Sequence, residues 1–390
     1  MDFDLNQEQE LIRQSVREFA EKEIRPRAHD LDREAVFSAE LTRKMGELGL
    51  FGMAIDSKYG GQETDYLSYI LAVEELARID GSQAATMCAQ NSLGISPIHA
   101  FGSEEQKQRY LPKLCTGEHV WGFGLTEPDA GSDAGGTKTT AQRGDDGKWR
   151  LNGSKIFITN GSAECSLGVT VQAVTGTTDN GKKEYTCFLL DRGTPGYTAE
   201  PMKDKLLWRA SDTAEMFFED VVLSDDQVLG QQGDGFRQML STLTAGRLSI
   251  AAMGVGCAQG AYELGLDYAT KRHQFGKPIS TFQVNAFKLA DMATGLEHAR
   301  LFLYRVCWLK DQGRPYLKEA AMAKLHCAEV AGLCTTHALQ LHGGYGFMGD
   351  YEIERFFRDQ KLLEVGEGTS EIQRWVIARE IGCYPDKHRG

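Results

Sequence analysis

The sequence has no apolar run approaching the roughly 18 residues needed to cross a bilayer, and its nine cysteines include no C-x-x-C pair. Those cysteines (88, 115, 165, 187, 257, 307, 327, 334 and 383) are odd in number and irregularly spaced. They read as reduced, mostly buried thiols rather than a disulfide framework. Positive charge is also in deficit: 43 Lys and Arg against 55 Asp and Glu leave a formal charge of −12. That excludes a general nucleic-acid surface, although a few local Arg and Lys residues can still hold an anionic small molecule. The start is charged, and Met1-Asp2-Phe3-Asp4 leads straight into an amphipathic segment. Neither a secretory signal nor a basic transit peptide is expected, and the expected compartment is a bacterial-type cytoplasm. No G-x-G-x-x-G follows a strand and no G-x-x-x-x-G-K-[ST] occurs, so Rossmann and P-loop readings are poor. What remains is ordinary globular composition, 41% hydrophobic and 25% charged over 390 residues, a length for two or three domains.

Three textures follow one another. Over residues 1–120 the period is helical: Ile12, Val16, Phe19 and Ala20 share one face, and residues 66–79 read as a largely buried helix. Over 121–232 short β-like runs at 149–151, 155–159, 169–174, 185–190 and 216–223 are punctuated by Gly and Asp, which suggests an antiparallel barrel or sandwich. Over 233–390 the helical period returns, with Leu289, Met292, Leu296, Ala299, Leu303 and Val306 forming a bundle seam. A β-domain between two helical domains leaves interdomain crevices, which favour ligands.

Five segments carry possible chemistry, each with a plain alternative. Residues 123–136 (FGLTEPDAGSDAGG) form a Gly/Ser/Thr-rich loop whose N–H groups can approach phosphate, or simply a chain of turns. Its acids Glu127, Asp129 and Asp133 are expected to be solvated turn residues, with no metal bound. Residues 152–161 (NGSKIFITNG) read as a strand bounded by two Asn-Gly turns. Residues 271–278 (KRHQFGKP) offer either a phosphate clamp or basic helix capping. Residues 340–346 (QLHGGYG) end a helix in glycines. Residues 365–374 (VGEGTSEIQR) contain a capping signal and, between two glycines, Glu367.

Together, in this order, LTEPDAGSD, GSKIFITNG, RHQFGKP, QLHGGYG and EGTSEIQR resemble the acyl-CoA dehydrogenase flavoprotein family along essentially the whole chain. The resemblance implies an α+β architecture: an N-terminal helical domain, a central antiparallel β-barrel domain and a C-terminal four-helix bundle. It implies FAD at the interdomain crevice. Leu125, Thr126 and Ser132, with Phe157, Ile158 and Thr159, would line the flavin and pyrophosphate. Arg272, Phe275, Gln340, Gly343 and Gly344 would reach the cofactor of a neighbouring subunit, while Thr369 and Glu371 would lie near its phosphate and adenosine portions. Such sharing implies an oligomer, at least a dimer and commonly a homotetramer. Glu367 matches the base that removes the α-proton of an acyl-CoA thioester while the β-hydride passes to the flavin. Burial should raise its pKa. Gly246 occupies the position where some relatives carry the base instead. The implied electron acceptor is electron-transfer flavoprotein. An oxidase using O₂ or a non-catalytic flavoprotein subunit are the alternatives.

Three departures from the family pattern bear on substrate. Gly366 replaces the usual Tyr beside the base, which widens the acyl pocket unless a neighbour such as Trp208 refills it. Residues 204–211 (DKLLWRAS) are bulky where Gly and Ile are usual. Thr244 stands where an Asp normally accompanies Arg247 near the CoA chain. Ser132, Thr244, Arg247, Gly366 and Gly368 are therefore expected at the substrate. Gln90 and Asn91 either line the pocket or cap their helix. No Arg or Lys lies between Arg78 and Lys107, and Ala84 takes the place of the Arg used by glutaryl-type relatives. An unpaired buried carboxylate is costly, so a short, branched or cyclic (including aryl-substituted) acyl group is expected over a dicarboxylic one.

Overall fold

The computed structural model describes residues 4–384. Met1, Asp2 and Phe3, and residues 385–390 at the end of the third stretch, lie outside the described residues. The first helices are α1 (Gln7–Phe19), α2 (Arg25–Glu34) and α3 (Ala39–Glu47), then α4 (Tyr66–Ala77), α5 (Gly81–Cys88), α6 (Ser96–Phe101) and α7 (Glu104–Cys115). Asn6 opens α1 with a capping box to Gln9, as Ser103 does for α7 with Gln106. The apolar run of α4 has a physical consequence: eleven of its twelve residues are buried, because it is packed between α1, α5 and the later bundle. A π-helical segment, Ala89–Ile95, follows α5 and packs on the first strand.

Seven strands make one sheet: β1 (Val120–Gly124), β2 (Thr140–Arg143), β3 (Trp149–Thr159), β4 (Ser166–Thr177), β5 (Lys183–Asp191), β6 (Tyr197–Pro201) and β7 (Thr213–Leu223). The order is β1-β4-β2-β3-β7-β6, with β5 on β4. Pairing is mostly antiparallel, with β1 and β2 running parallel to β4. The runs at 149–151 and 155–159 are one strand. Asn152-Gly153 is a bulge inside β3 rather than a turn, since the register against β7 shifts there. Gly153, at φ +144, has no room for a side chain, because a Cβ would lie 2.5 Å from the Thr139 hydroxyl.

The last third contains α8 (Gly235–Lys271), α9 (Gln283–Asp311), α10 (Leu317–His342), α11 (Ile353–Val365) and α12 (Ser370–Glu380). Helices α8 to α11 form the bundle and α12 packs on α10. All six residues of the α9 seam are buried. Small residues on α8 and α10 permit close approach: a Cβ at Gly254 would meet the Cys327 carbonyl at 2.8 Å. One core cluster joins both helical regions, and a second fills the sheet. All nine cysteines are free, seven of them buried. Among the described residues no helix is long and apolar enough to cross a membrane.

Candidate active site

Glu367 sits in a turn between α11 and α12 that only an unusual backbone can make. Its own φ is +51 and that of Gly368 is +92, a left-handed pair that an L-residue adopts at a cost. The turn is held from two sides, for the Gly368 carbonyl accepts hydrogen bonds from Lys324 Nζ and Gln373 Nε2, both at 2.8 Å. This geometry drives the side chain inward. Oε2 of Glu367 is shut off from solvent and has no hydrogen-bond partner, although the residue as a whole is partly exposed. Burial pushes the carboxyl up to about 7, and the charges of Lys324 and Arg247 moderate that rise.

The space it occupies exists because residue 246 has no side chain. A Cβ on Gly246 would stand 2.1 Å from Glu367 Oε2. The surrounding stretch of α8 is held by α4, since Tyr66 Oη donates to the Ala245 carbonyl and Tyr69 Oη to Ser249 Oγ, both at 3.0 Å. Both tyrosines and Cys88 feel the Glu367 charge. Arg247 is buried, with Nε and one terminal nitrogen unpartnered; desolvation lowers its pKa. Lys324 is 0% exposed and pushed down to about 8 by burial. Arg247, Glu367 and Gly368 are thus brought together. Lys324, Tyr66 and Tyr69 join them without having been expected, and Lys324 carries a legible signal. It shares a buried helical stripe with Ala320, Ala323, Cys327 and Ala331, where a lysine is out of place.

A second group assembles from two distant motifs. Lys155 on β3 is 0% exposed and bonds Glu127 Oε1 at 2.7 Å and the Leu125 carbonyl at 3.1 Å. Glu127 also accepts from the backbone N–H groups of Lys138 and Thr139. The expectation of a solvated Glu127 is therefore corrected: it is a buried anchor. Asp129 does stay exposed, paired with Lys138, and Asp133 is exposed as well. Ile156 N–H donates to the Thr126 carbonyl. The bulge between Lys155 and Ile158 puts Phe157 at φ +61 with 62% of its surface exposed. Asn160, at φ +62, donates to the Thr86 carbonyl and ties this strand end to α5. The hydroxyls of Thr126, Ser132 and Thr159 make no hydrogen bond among the described residues. Ile158 instead points into the sheet core.

A third group borders a groove of about 540 Å³ on the C-terminal bundle, where Arg272, His342, Gly343, Gly344 and Tyr345 meet. Cβ atoms on Gly343 or Gly344 would enter open space. Phe275 lies outside its lining, 93% exposed at φ +53, and Gln340 is exposed nearby.

Other expected residues have their polar atoms committed elsewhere. Gln90 gives both amide protons to the Leu114 and His119 carbonyls and accepts from Trp121 N–H. Asn91 bonds Gly52 N–H and the Leu50 and Met87 carbonyls. Both act as ties between α-helical and β structure or between helical segments. The Thr244 hydroxyl bonds back to the Leu240 carbonyl within α8. Thr369 caps α12 by accepting from Ile372 N–H, and Glu371 is exposed in its first turn. Trp208 lines a small cavity together with Gly81, Phe356 and Leu363, and the three atoms nearest to a Cβ at Gly366 belong to Leu362.

The described residues thus present a buried acid beside two cations and, elsewhere, a groove edged by Gly343 and Gly344. The chain belongs to the acyl-CoA dehydrogenase family. It matches that family's N-terminal domain over residues 6–118, its middle domain over 122–221 and its C-terminal domain over 233–382. It is 44% identical to the short-chain-specific acyl-CoA dehydrogenase of Clostridium acetobutylicum, covering 98% of this chain and 100% of that one. The solved butyryl-CoA dehydrogenase of Megasphaera elsdenii superposes with a TM-score of 0.94 at 40% identity, over 98% of this chain and 100% of that one. A chain from work on the electron transferring flavoprotein of Acidaminococcus fermentans superposes with a TM-score of 0.93 at 43% identity, over 98% and 100%. The protein is an acyl-CoA dehydrogenase, and its cofactor is FAD.

Proposed function

We propose that this enzyme dehydrogenates a short acyl-CoA to the 2-enoyl-CoA, with Glu367 as the base and electron-transfer flavoprotein as acceptor. The observation that carries this reading is the unpartnered, buried Oε2 of Glu367 seated over Gly246. A carboxylate whose pKa is raised to about 7 is a stronger base than one in water and still ionised in part at neutral pH. Arg247 and Lys324 keep a share of it charged. The FAD supplies the hydride acceptor when bound. Its isoalloxazine and pyrophosphate would meet the free hydroxyls of Thr126, Ser132 and Thr159 and the backbone of Leu125, Phe157 and Ile158. The groove at Arg272, Gly343 and Gly344, with Phe275 beside it, suits the adenosine end of a neighbour's cofactor. Gln340 lies near that groove, and Thr369 and Glu371 would lie near the phosphate and adenosine portions of the cofactor in this reading. Such sharing supports a homotetramer, or at least a dimer.

The substrate reading rests on Gly366. Its φ of −68 is open to any residue, so the backbone does not require glycine there, and the missing side chain leaves width beside the base. The butyryl-CoA dehydrogenase likeness supports a short chain; the width supports a branched or cyclic one. Thr244 and Gly368 complete the acyl-CoA contacts in this reading. The likeness to the Acidaminococcus chain supports electron-transfer flavoprotein as partner, and the bacterial relatives support a cytoplasmic setting. Anaerobic addition of butyryl-, isobutyryl-, 2-methylbutyryl- and cyclohexanecarbonyl-CoA tests the proposal. Bleaching of the flavin by the branched or cyclic substrates at rates matching butyryl-CoA is expected, without peroxide on later aeration. Bleaching by butyryl-CoA alone overturns the wide pocket, and peroxide formation overturns the acceptor.

A further inference from the structure

Lys324 is a buried charge that does more than keep Glu367 partly ionised. It comes from the first half of α10, among that helix's buried residues. A lysine with no exposed surface loses its hydration, and that loss is offset only by specific partners. Two are present. Nζ donates to the Gly368 carbonyl at 2.8 Å, and the Glu367 carboxylate is the strongest of the charges acting on it, ahead of Arg247, Glu364 and Glu371. The carbonyl it holds belongs to the residue immediately after the base, inside the left-handed turn at φ +51 and +92. A strained turn keeps its shape only where its surroundings over-determine it. Gln373 Nε2 holds the same carbonyl from α12, so the turn is clamped between α10 and α12.

We propose that Lys324 is a positioning residue for the base: it fixes the Glu367–Gly368 turn through the Gly368 carbonyl and sets the charge beside the carboxylate. The proposal rests on Glu367 being the base. The groups that face the carboxylate are Lys324 on α10 and Arg247 on α8, with Tyr66 and Tyr69 on α4 and Cys88 on α5. Removing Lys324 leaves Arg247 as the one cation among these, and the carboxylate becomes harder to ionise.

Two variants of the FAD-loaded enzyme separate the strap from the charge. Lys324→Met removes both. Lys324→Gln keeps a donor for the carbonyl and removes the charge. In Lys324→Met, kcat should fall by about tenfold or more with KM changed far less, and the acid limb of the kcat–pH profile should move up by about half a pH unit or more. Lys324→Gln should recover much of kcat at high pH while keeping the displaced limb. A readout independent of turnover is the melting temperature. A lysine whose folded pKa is about 8, below its ordinary 10.5, makes stability rise between those two pH values, because the unfolded chain binds the extra proton. The wild type should show that rise relative to Lys324→Met. Wild-type kcat and an unmoved limb in Lys324→Met overturn the proposal, as does a failure of both variants to retain FAD, which makes Lys324 a folding residue. If Glu367→Gln keeps normal turnover, the base assignment itself fails, whatever Lys324 does.

Discussion

Lys155 and Glu127 form an ion pair at 2.7 Å with both side chains buried, and that pair locks the loop after β1 to strand β3. Breaking one partner of a buried pair leaves an uncompensated charge and costs about 3–5 kcal/mol. Glu127→Gln or Lys155→Met should therefore lower stability by about that amount and loosen the Leu125–Thr126 backbone from its partners Lys155 and Ile156. Denaturant melts, together with FAD titration of each variant, check both parts. FAD affinity should drop by about tenfold or more, in step with stability.

Glu367 carries a sign that distinguishes it from a stabilising acid. Its folded pKa, about 7, lies above the ordinary 4.5. The folded state therefore holds the proton more tightly, and stability falls as pH rises from 4.5 toward 7. Glu367→Gln should melt higher than the wild type at pH 8, by no more than about 3 kcal/mol. The difference should vanish near pH 4.5, and turnover should be lost at every pH. Calorimetry across that range is the measurement.

Gly246→Ala places a methyl 2.1 Å from Oε2 of Glu367. The carboxylate must shift, and a displacement of about 1 Å at a reacting group costs about 100-fold. Steady-state kinetics should show that loss in kcat, with circular dichroism and bound FAD unchanged.

Asn91→Ala removes three hydrogen bonds to backbone groups of Gly52, Leu50 and Met87. Unpaired buried backbone groups cost about 1–3 kcal/mol each before relaxation, so a loss of several kcal/mol is expected in a urea melt. The ranking of acyl-CoA substrates should not change, as it would if Asn91 lined the pocket.

The helical thirds were legible because their apolar residues recur every three or four positions; the α9 seam from Leu289 to Val306 is buried as its spacing requires. Strands β1, β2 and β6 were not foreseen. Val120–Gly124 and Thr140–Arg143 are short runs beside glycines, and pairing makes them strands, β1 with the distant β4 and β2 with β3 across a turn. Asn152-Gly153 carried hairpin chemistry, and the tertiary approach of Thr139 turned it into a bulge. At the site, Glu367 stood out between its glycines. Lys324 and Lys155 were missed: Lys324 did interrupt a buried apolar stripe, but a lysine so placed has no readable role until its partner, elsewhere in the sequence, is brought to it.

The fit between Gly246 and Glu367 makes the two positions mutually dependent. Two positions on separate segments lay claim to the same few cubic ångströms, so a bulkier residue at either is tolerated only after the other has yielded.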